Sequence, residues 1–491
     1  LSLWTSNATG TIDGLGGVDT LVGPTATQVT WDIAGAAAGT VENFGYSNVE
    51  NLQGTAGSND RFIFDPAVTV AGSISGGLGG NDQINYSSFG APVNVILTGA
   101  NGTGTEAGRN VASTWTISAS TSTYSAGGAV TFRDFASVNG GSAADDFSIQ
   151  TDVTLNVSTG DGTNTVTVAN DRTLTGDITG GADSDTVTLN SGASVAGSIS
   201  TAAGNDRLQL GNGADITGSF AAGAGIDALS FSGYTTARDV AITAVNATDG
   251  FDGTEVSIGG GFTSVNSLTG SASGSDALQG LATTAAVWTI ASNGSYNAGG
   301  EVLAISSFED LTGSSADDRF QFGSFGIGAV PQVTVSAGAG NDQLVANVSG
   351  SDFLVTAADA GTVTVRNSAA IPATAVSQFF SVESLVGNSG NDRFEFLNSG
   401  SLTGSIDGNV GNDTLVGDSD GNIFTVTSED AGTLAGKVAG GFVEIENLAG
   451  GLASDTFNVN ADLNGGISGF AGEDVVVVAD GVTIAGAIDT G

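Results

Sequence analysis

The chain has 491 residues, 78 of them glycine, with 10 basic against 51 acidic residues and no Cys, Met or His. A formal charge of −41 opposes any partner held by neutralised phosphate, which excludes nucleic acid and direct contact with anionic lipid. No disulfide framework is possible, and no run nears the ~20 apolar residues of a membrane helix, the longest being VVVV at 475–478.

Along the chain, short glycine-rich stretches end in an aspartate and open an alternating apolar strand. Asp19 to Asp60 is 41 residues, Asp60 to Asp82 is 22, and Asp185, Asp206 and Asp227 are each 21 apart. Asp276 to Asp318 and Asp413 to Asp455 are both 42, and Asp392 to Asp413 is again 21. A period near 21 is the signature of stacked coils.

The central coils align without a gap. Val166 and Val168 fall over Val187 and Leu189, then Leu208 and Leu210, then Leu229 and Phe231. A second column stacks Leu174, Val195 and Ile216, then Gly176, Gly197 and Gly218, then Ile178, Ile199 and Phe220. The alternation predicts strands with one buried face, joined by Gly, Asn and Ser corners. A single lysine, Lys437, and the lack of Leu/Ala/Glu runs oppose helices. The expected fold is therefore all-β: a parallel β-helix (β-solenoid) of about 21 residues per coil, one continuous elongated rod over 1–491. At ~4.8 Å per coil, ~22 turns would span ~105 Å.

A longer unit overlies the coil. An aromatic strand precedes an Ala-Gly pair in Trp31 with Ala38–Gly39, Trp115 with Ala126–Gly127 and Trp288 with Ala298–Gly299. Phe353 with Ala360–Gly361 and Phe424 with Ala431–Gly432 repeat the pattern. Segments of the type S-V-E-N-L-x-G follow, at 48–54, 137–142, 264–270, 307–313, 381–387 and 444–450, each leading to an aspartate marker. The spacing exceeds whole periods at 100–126 and 232–262, where inserted coils or loops, and with them function, are expected. Both ends lie inside the repeat, and no signal peptide is visible, so the chain reads as a piece of a longer array.

GGADSDTVT at 180–188, AGAGNDQLV at 337–345 and GNVGNDTLV at 408–416 resemble degenerate copies of the calcium-binding nonapeptide of RTX proteins. Their alternation with VENL-x-G and ND-x-F-x-F is similar to the rod regions of large bacterial surface exoproteins of the filamentous-haemagglutinin type, including two-partner-secreted biofilm adhesins. The resemblance implies a right-handed parallel β-helix, secreted to the bacterial cell surface or extracellular matrix. It also implies adhesion to a cell-surface receptor, matrix polysaccharide or another copy of the chain.

Calcium is the sharpest chemical expectation, since hard oxygen ligands at successive coils suit it. Asp185, Asp206 and Asp227 form the one tandem column, and Asp342 and Asp413 stand in the two closest nonapeptides. Beside it stands the reading that Asn-Asp pairs make Asx-turns capping corner N–H groups. Arg61, Arg207, Arg319 and Arg393 follow markers in outward positions, where they offset carboxylates on a solvated face. The pairs Phe62/Phe64, Phe320/Phe322 and Phe394/Phe396, with Trp31, Trp115 and Trp288, have inward spacing and belong to the core. Tyr124 and Tyr296 fall in Gly/Ser-rich segments, as sugar contacts or loop anchors.

Parallel β-helices also host polysaccharide lyases and hydrolases, but the acids here are spread at the repeat interval rather than gathered. A threonine ladder for ice is missing from the marker positions, which read Thr, Arg, Ala, Gln and Glu. The functional expectation is a non-catalytic, extracellular adhesive rod; the alternatives are a polysaccharide-active enzyme and an S-layer, sheath or filament subunit.

Overall fold

The computed structural model describes residues 9–65, 68, 70–77, 83–85, 94–98, 113–118, 123–125, 129–133, 137–140, 144–323, 332–346, 350–366, 376–397 and 399–491. Among the described residues there is no helix, and the strands stack in parallel register as a β-solenoid. The chain forms two compact units, Leu1–Thr236 with Asn246–Ala272, and Ala237–Val245 with Ser273–Gly491.

The first unit contains the regular coils. Thr165–Val168, Thr186–Leu189 and Arg207–Gly211 lie in parallel register, with Val166 on Val187 on Leu208 and Val168 on Leu189 on Leu210. The opposite wall stacks Leu174 on Val195 on Ile216, and Ile178 on Ile199 on Phe220. All of these side chains are buried. Alternate residues face inward because strand side chains have a period of two, so each coil adds one layer to two aliphatic columns. The glycines between the columns are required by close approach: a Cβ on Gly218 would stand 2.5 Å from the carbonyl oxygen of Gly197.

The gap-free alignment holds as far as Gln209 over Ser230. There the register shifts, and Gly211 pairs with Gly233, so Leu210 does not pair with Phe231. Beyond this bulge, the segment expected to carry an insertion folds as an antiparallel hairpin, Phe251–Glu255 with Ile258–Val265. Its second strand lays Ile258 on Ile216 and Phe262 on Phe220, whereas Asp239–Val245, from the same segment, belongs to the second unit and pairs in parallel with Ala277–Gln279. Of the other expected insertion, 100–126, only the strands Ser113–Ser118 and Thr123–Ser125 lie within the described residues.

The second unit is built largely from widened coils. In each, an aromatic strand, a middle strand and a return strand form a three-stranded antiparallel meander; the Ala-Gly pair opens the middle strand at 360–361 and 431–432, whereas Ala298 ends it and Gly299 stands in the turn that follows. Examples are Ala286–Ile290, Gly294–Ala298 and Glu301–Ser306, and Ser351–Ala357, Ala360–Val365 and Val376–Phe380. A third is Ile423–Ser428, Ala431–Leu434 and Phe442–Val443. The first strand of each then pairs in parallel with the following marker strand, Arg319–Phe322, Arg393–Phe396 or Thr456–Val459. Parallel pairing puts the rings in stacks: Trp288 on Phe320, Phe353 on Phe394 and Phe424 on Phe457, with centroids 5.4, 5.1 and 4.9 Å apart. The first unit opens with a coil of the same kind, where Trp31 stacks on Phe62 at 5.2 Å. Where the Ala-Gly pair opens the middle strand, its glycine has a cause: a Cβ on Gly39, Gly361 or Gly432 would stand 2.0 to 2.1 Å from the carbonyl oxygen of Asp32, Leu354 or Thr425.

Candidate functional site

The marker aspartates begin their strands at a coil corner. At such a corner the marker's carbonyl continues the ladder, as in Arg207 N to Asp185 O at 2.9 Å and Ala228 N to Asp206 O at 2.8 Å. Its N–H faces no backbone acceptor, and a buried N–H without an acceptor is costly. The carboxylate of the next coil supplies one. Asp145 N donates to Asn164 Oδ1 (2.7 Å), Asn164 N to Asp185 Oδ1 (3.0 Å) and Asp185 N to Asp206 Oδ1 (2.6 Å). Asp206 N then donates to Asp227 Oδ1 (2.7 Å), and Asp227 N to Asn266 Oδ1 (3.0 Å).

The second unit repeats the ladder with a change of residue. Asp318 N donates to Asp342 Oδ1 (2.7 Å), and Asp342 N to Glu383 Oε2 (2.7 Å). Asp392 N donates to Asp413 Oδ1 (2.6 Å), and Asp413 N to Glu446 Oε2 (2.6 Å). Asp276 N reaches Glu309 Oε2 at 2.9 Å, and Asp455 N reaches Asp474 Oδ1 at 2.8 Å. The glutamate of each V-E-N-L segment is therefore the same ladder rung as the aspartate of N-D-x-F, a role that sequence reasoning missed. The signal was available in the strand alignment, since Leu344 pairs with Leu385 and Leu415 with Leu448, which sets Asp342 over Glu383 and Asp413 over Glu446. The longer side chain accompanies a left-handed residue two places earlier: Asn48, Ser307, Ser381 and Glu444 have φ of 52, 58, 55 and 52°.

The aspartate rungs Asp227, Asp276, Asp342 and Asp413 have no exposure at all, whereas Glu309, Glu383 and Glu446 are half-buried. At Asp60, Asp185, Asp206, Asp227, Asp318, Asp342, Asp392 and Asp413, desolvation is the largest cause acting on the carboxyl group and favours the neutral form. It pushes Asp206 and Asp413 up to about 7 and Asp342 and Asp392 up to about 6, against the pull of the N–H donors. Asp60, Asp185, Asp227 and Asp318 are raised for the same reason. A glycine closes over several of them: a Cβ on Gly313, Gly387 or Gly408 would stand 2.7 to 2.8 Å from Oδ2 of Asp318, Asp392 or Asp413.

The five residues expected to ligate calcium are thus brought together with other rungs, not with one another as one cluster. Asp185, Asp206 and Asp227 share a column, Asp342 lies between Asp318 and Glu383, and Asp413 lies between Asp392 and Glu446. Among the described residues no group of three or more His, Cys, Asp or Glu is arranged to hold a metal ion. Their Oδ1 atoms accept backbone N–H groups, as the Asx-turn reading assigns to the side chain, but across coils; within a corner, Asp185 accepts the Gly181 N–H through Oδ2.

Tyr296 requires a correction. It lies in a strand opposite Trp288, is fully buried, packs tilted against the indole with centroids 4.4 Å apart, and its hydroxyl accepts the Leu281 N–H at 2.8 Å. A ring with no exposed surface offers no contact to a sugar. Tyr124 occupies the equivalent strand position opposite Trp115; only this pairing is described.

Of the outward arginines, Arg207 is exposed and Arg61, Arg319 and Arg393 are half-buried. Arg393 pairs with Glu395 at 3.0 Å, and Arg319 donates to Gln343 at 2.9 Å. Phe62, Phe320, Phe322, Phe394 and Phe396 are buried, as their inward spacing predicts. Two clefts lie beside the first meander of the second unit. One, of 280 Å³, contains Thr289, Ser292, Phe308 and Glu309, and its one carboxylate already accepts the Asp276 N–H. The other, of 330 Å³, is shallow and gathers Glu301, Asp317 and Arg319. No family model matches the chain, and no curated protein matches it.

Proposed function

We propose that the chain is a structural and adhesive segment of a secreted bacterial surface protein, which presents extended β-solenoid faces to a matrix polysaccharide, a cell-surface receptor or another copy of itself. The observation that carries this reading is the ladder: recurring acids that would otherwise be candidates for chemistry are held as acceptors of inter-coil N–H groups. Chains of hydrogen bonds along the coil axis suit a part that bears load. The charge of −41 keeps such a surface soluble and repels unselected anionic contacts.

A second reading, a polysaccharide-active enzyme, is favoured by one observation, the shallow cleft that joins Glu301 and Asp317 to Arg319. A glycan array run beside a depolymerisation assay separates the two. Lasting capture of a polysaccharide without shortening it supports the adhesive segment. Turnover that is lost in E301Q or D317N establishes the enzyme instead.

A further inference from the structure

Lys437 is the one lysine of the sequence, and the fold does not leave it in solvent. Its side chain is 16% exposed and meets the carboxyl group of Asp418, 2% exposed, with Nζ 2.5 Å from Oδ2. The arginine pairs are built differently. In Arg172 with Asp152, Arg366 with Asp352 and Arg393 with Glu395, every side chain is 35 to 66% exposed.

Both backbones are fixed before the side chains meet. Asp418 stands four places before the rung Asn422, in the corner that leads into Ile423–Ser428. Its N–H donates to Asn422 Oδ1 at 3.2 Å, and its carbonyl accepts from Asn422 Nδ2 at 3.1 Å. The next coil closes on it so tightly that a Cβ on Gly451 would stand 1.7 Å from that carbonyl oxygen. Lys437 lies between the middle and return strands of the same meander. Its N–H donates to the Leu434 carbonyl at 3.2 Å, and its carbonyl accepts the Leu402 N–H at 2.7 Å. Val438 bridges to Leu402, and Leu402, Leu434 and Val438 are all buried.

The two oxygens of Asp418 differ. Oδ1 accepts the Asp420 N–H at 3.0 Å. Oδ2 is buried with no hydrogen bond, so the Nζ contact, although 2.5 Å long, lacks hydrogen-bond directions. An ion pair withdrawn from water is stable only when its geometry is good and its remaining lone pairs are satisfied. Well-oriented groups held in contact reach effective concentrations of about 10⁵–10⁸ M. Condensation of this amine with this acid removes both buried charges and the unsatisfied oxygen together.

We propose that Lys437 and Asp418 condense in the folded chain to an isopeptide bond, a covalent staple between the corner and the loop of one meander. One proton passes from the Nζ ammonium to Oδ2, leaving a neutral amine beside a neutral acid. Nζ then bonds to Cγ while Oδ1 takes up the negative charge, stabilised by the Asp420 N–H as in an oxyanion hole. A second Nζ proton goes to Oδ2, the Cγ–Oδ2 bond breaks and water leaves. The third hydrogen stays on the amide nitrogen, and no oxidant, reductant or co-reactant takes part. The ring so closed, 418–437, holds the first two strands of the meander, Ile423–Ser428 and Ala431–Leu434. This goes beyond the adhesive reading and does not rest on it.

The test compares the full chain with K437R, which keeps the charge pair but has no amine to condense, and with D418A, which removes the acid. Each is kept folded, then denatured, measured by intact mass spectrometry and treated with a lysine-specific protease, for which Lys437 is the single site. The expected parent is lighter than its sequence mass by one water and resists the protease. K437R and D418A should have their full calculated masses, and D418A should be cut once, after Lys437. K437R should also melt about 6–12 °C below the parent, the shift expected for opening a ring of this length. The proposal is overturned if the denatured parent has its full mass and is cut after Lys437, the result for an ion pair only. It is equally overturned if K437R loses the same water, or if a lighter parent is still cut after Lys437, since the water then comes from another residue.

Discussion

The regular coils at 165–221 and the widened coils of the second unit solve the same problem at two cross-sections. The first are narrow, and aliphatic columns such as Val166, Val187 and Leu208 fill them. The second carry a three-stranded meander, and ring stacks such as Trp288 on Phe320 fill the added width. The N–H ladder is common to both, with Asp206 and Asp413 each accepting the marker N–H of the preceding coil. The corner chemistry is thus independent of coil width, while the core is set by it.

The largest expected effect separates the two cores. Trp288→Ala should cost about 3–5 kcal/mol and Leu208→Ala about 2–5 kcal/mol, the larger void being left by the indole. Urea unfolding followed with hydrogen exchange would place each loss in its own unit. Equal losses, or a loss spread evenly over both units, would undo the distinction between them. Next in size is the rung they share. Glu446→Ala strands the Asp413 N–H and should cost about 1–3 kcal/mol, whereas Glu446→Gln keeps an acceptor and should cost much less. If the two melt alike, the glutamate is not a rung.

Tyr296→Phe removes the acceptor of the Leu281 N–H and should cost about 1 kcal/mol in stability while leaving glycan binding unchanged. Weaker binding with no loss of stability would restore the tyrosine as a contact. The smallest effect belongs to the surface. Arg393→Ala breaks the half-exposed pair with Glu395 and should change stability by under about 1 kcal/mol, less in high salt.

Much of the fold was legible because a coil repeats its constraints. Each layer needs apolar residues two apart facing in and small residues at the corners, so Val187 and Leu189 align with Leu208 and Leu210 by counting alone. The inward phenylalanines and the outward arginines follow from the same alternation. The meanders were not legible. An aromatic strand followed by Ala-Gly has one period whether the next strand runs beside it or starts another coil, and only pairing such as Phe353 with Val363 decides it. Tyr296 was misread for that reason, since Gly and Ser around it mark a loop in composition but form the middle strand of a meander here.

The site was legible in position and not in role. Spacing by itself determined that the aspartates stand at corners, one per coil, because a residue repeated with the coil must occupy the same place in each. Only the tertiary structure decided that Glu383 and Glu446 are rungs of the same ladder, since one added methylene changes the motif while the neighbouring N–H stays the same. It alone also showed that the residue four places before a marker is left-handed at some corners, as at Ala202 and Gly338, and not at others. A glycine two places before the marker accompanies the left-handed corner at Asp206 and Asp342, yet Asp392 has the same glycine and an ordinary corner. The handedness of that corner is therefore not written in the glycine pattern, and only the folded backbone shows it.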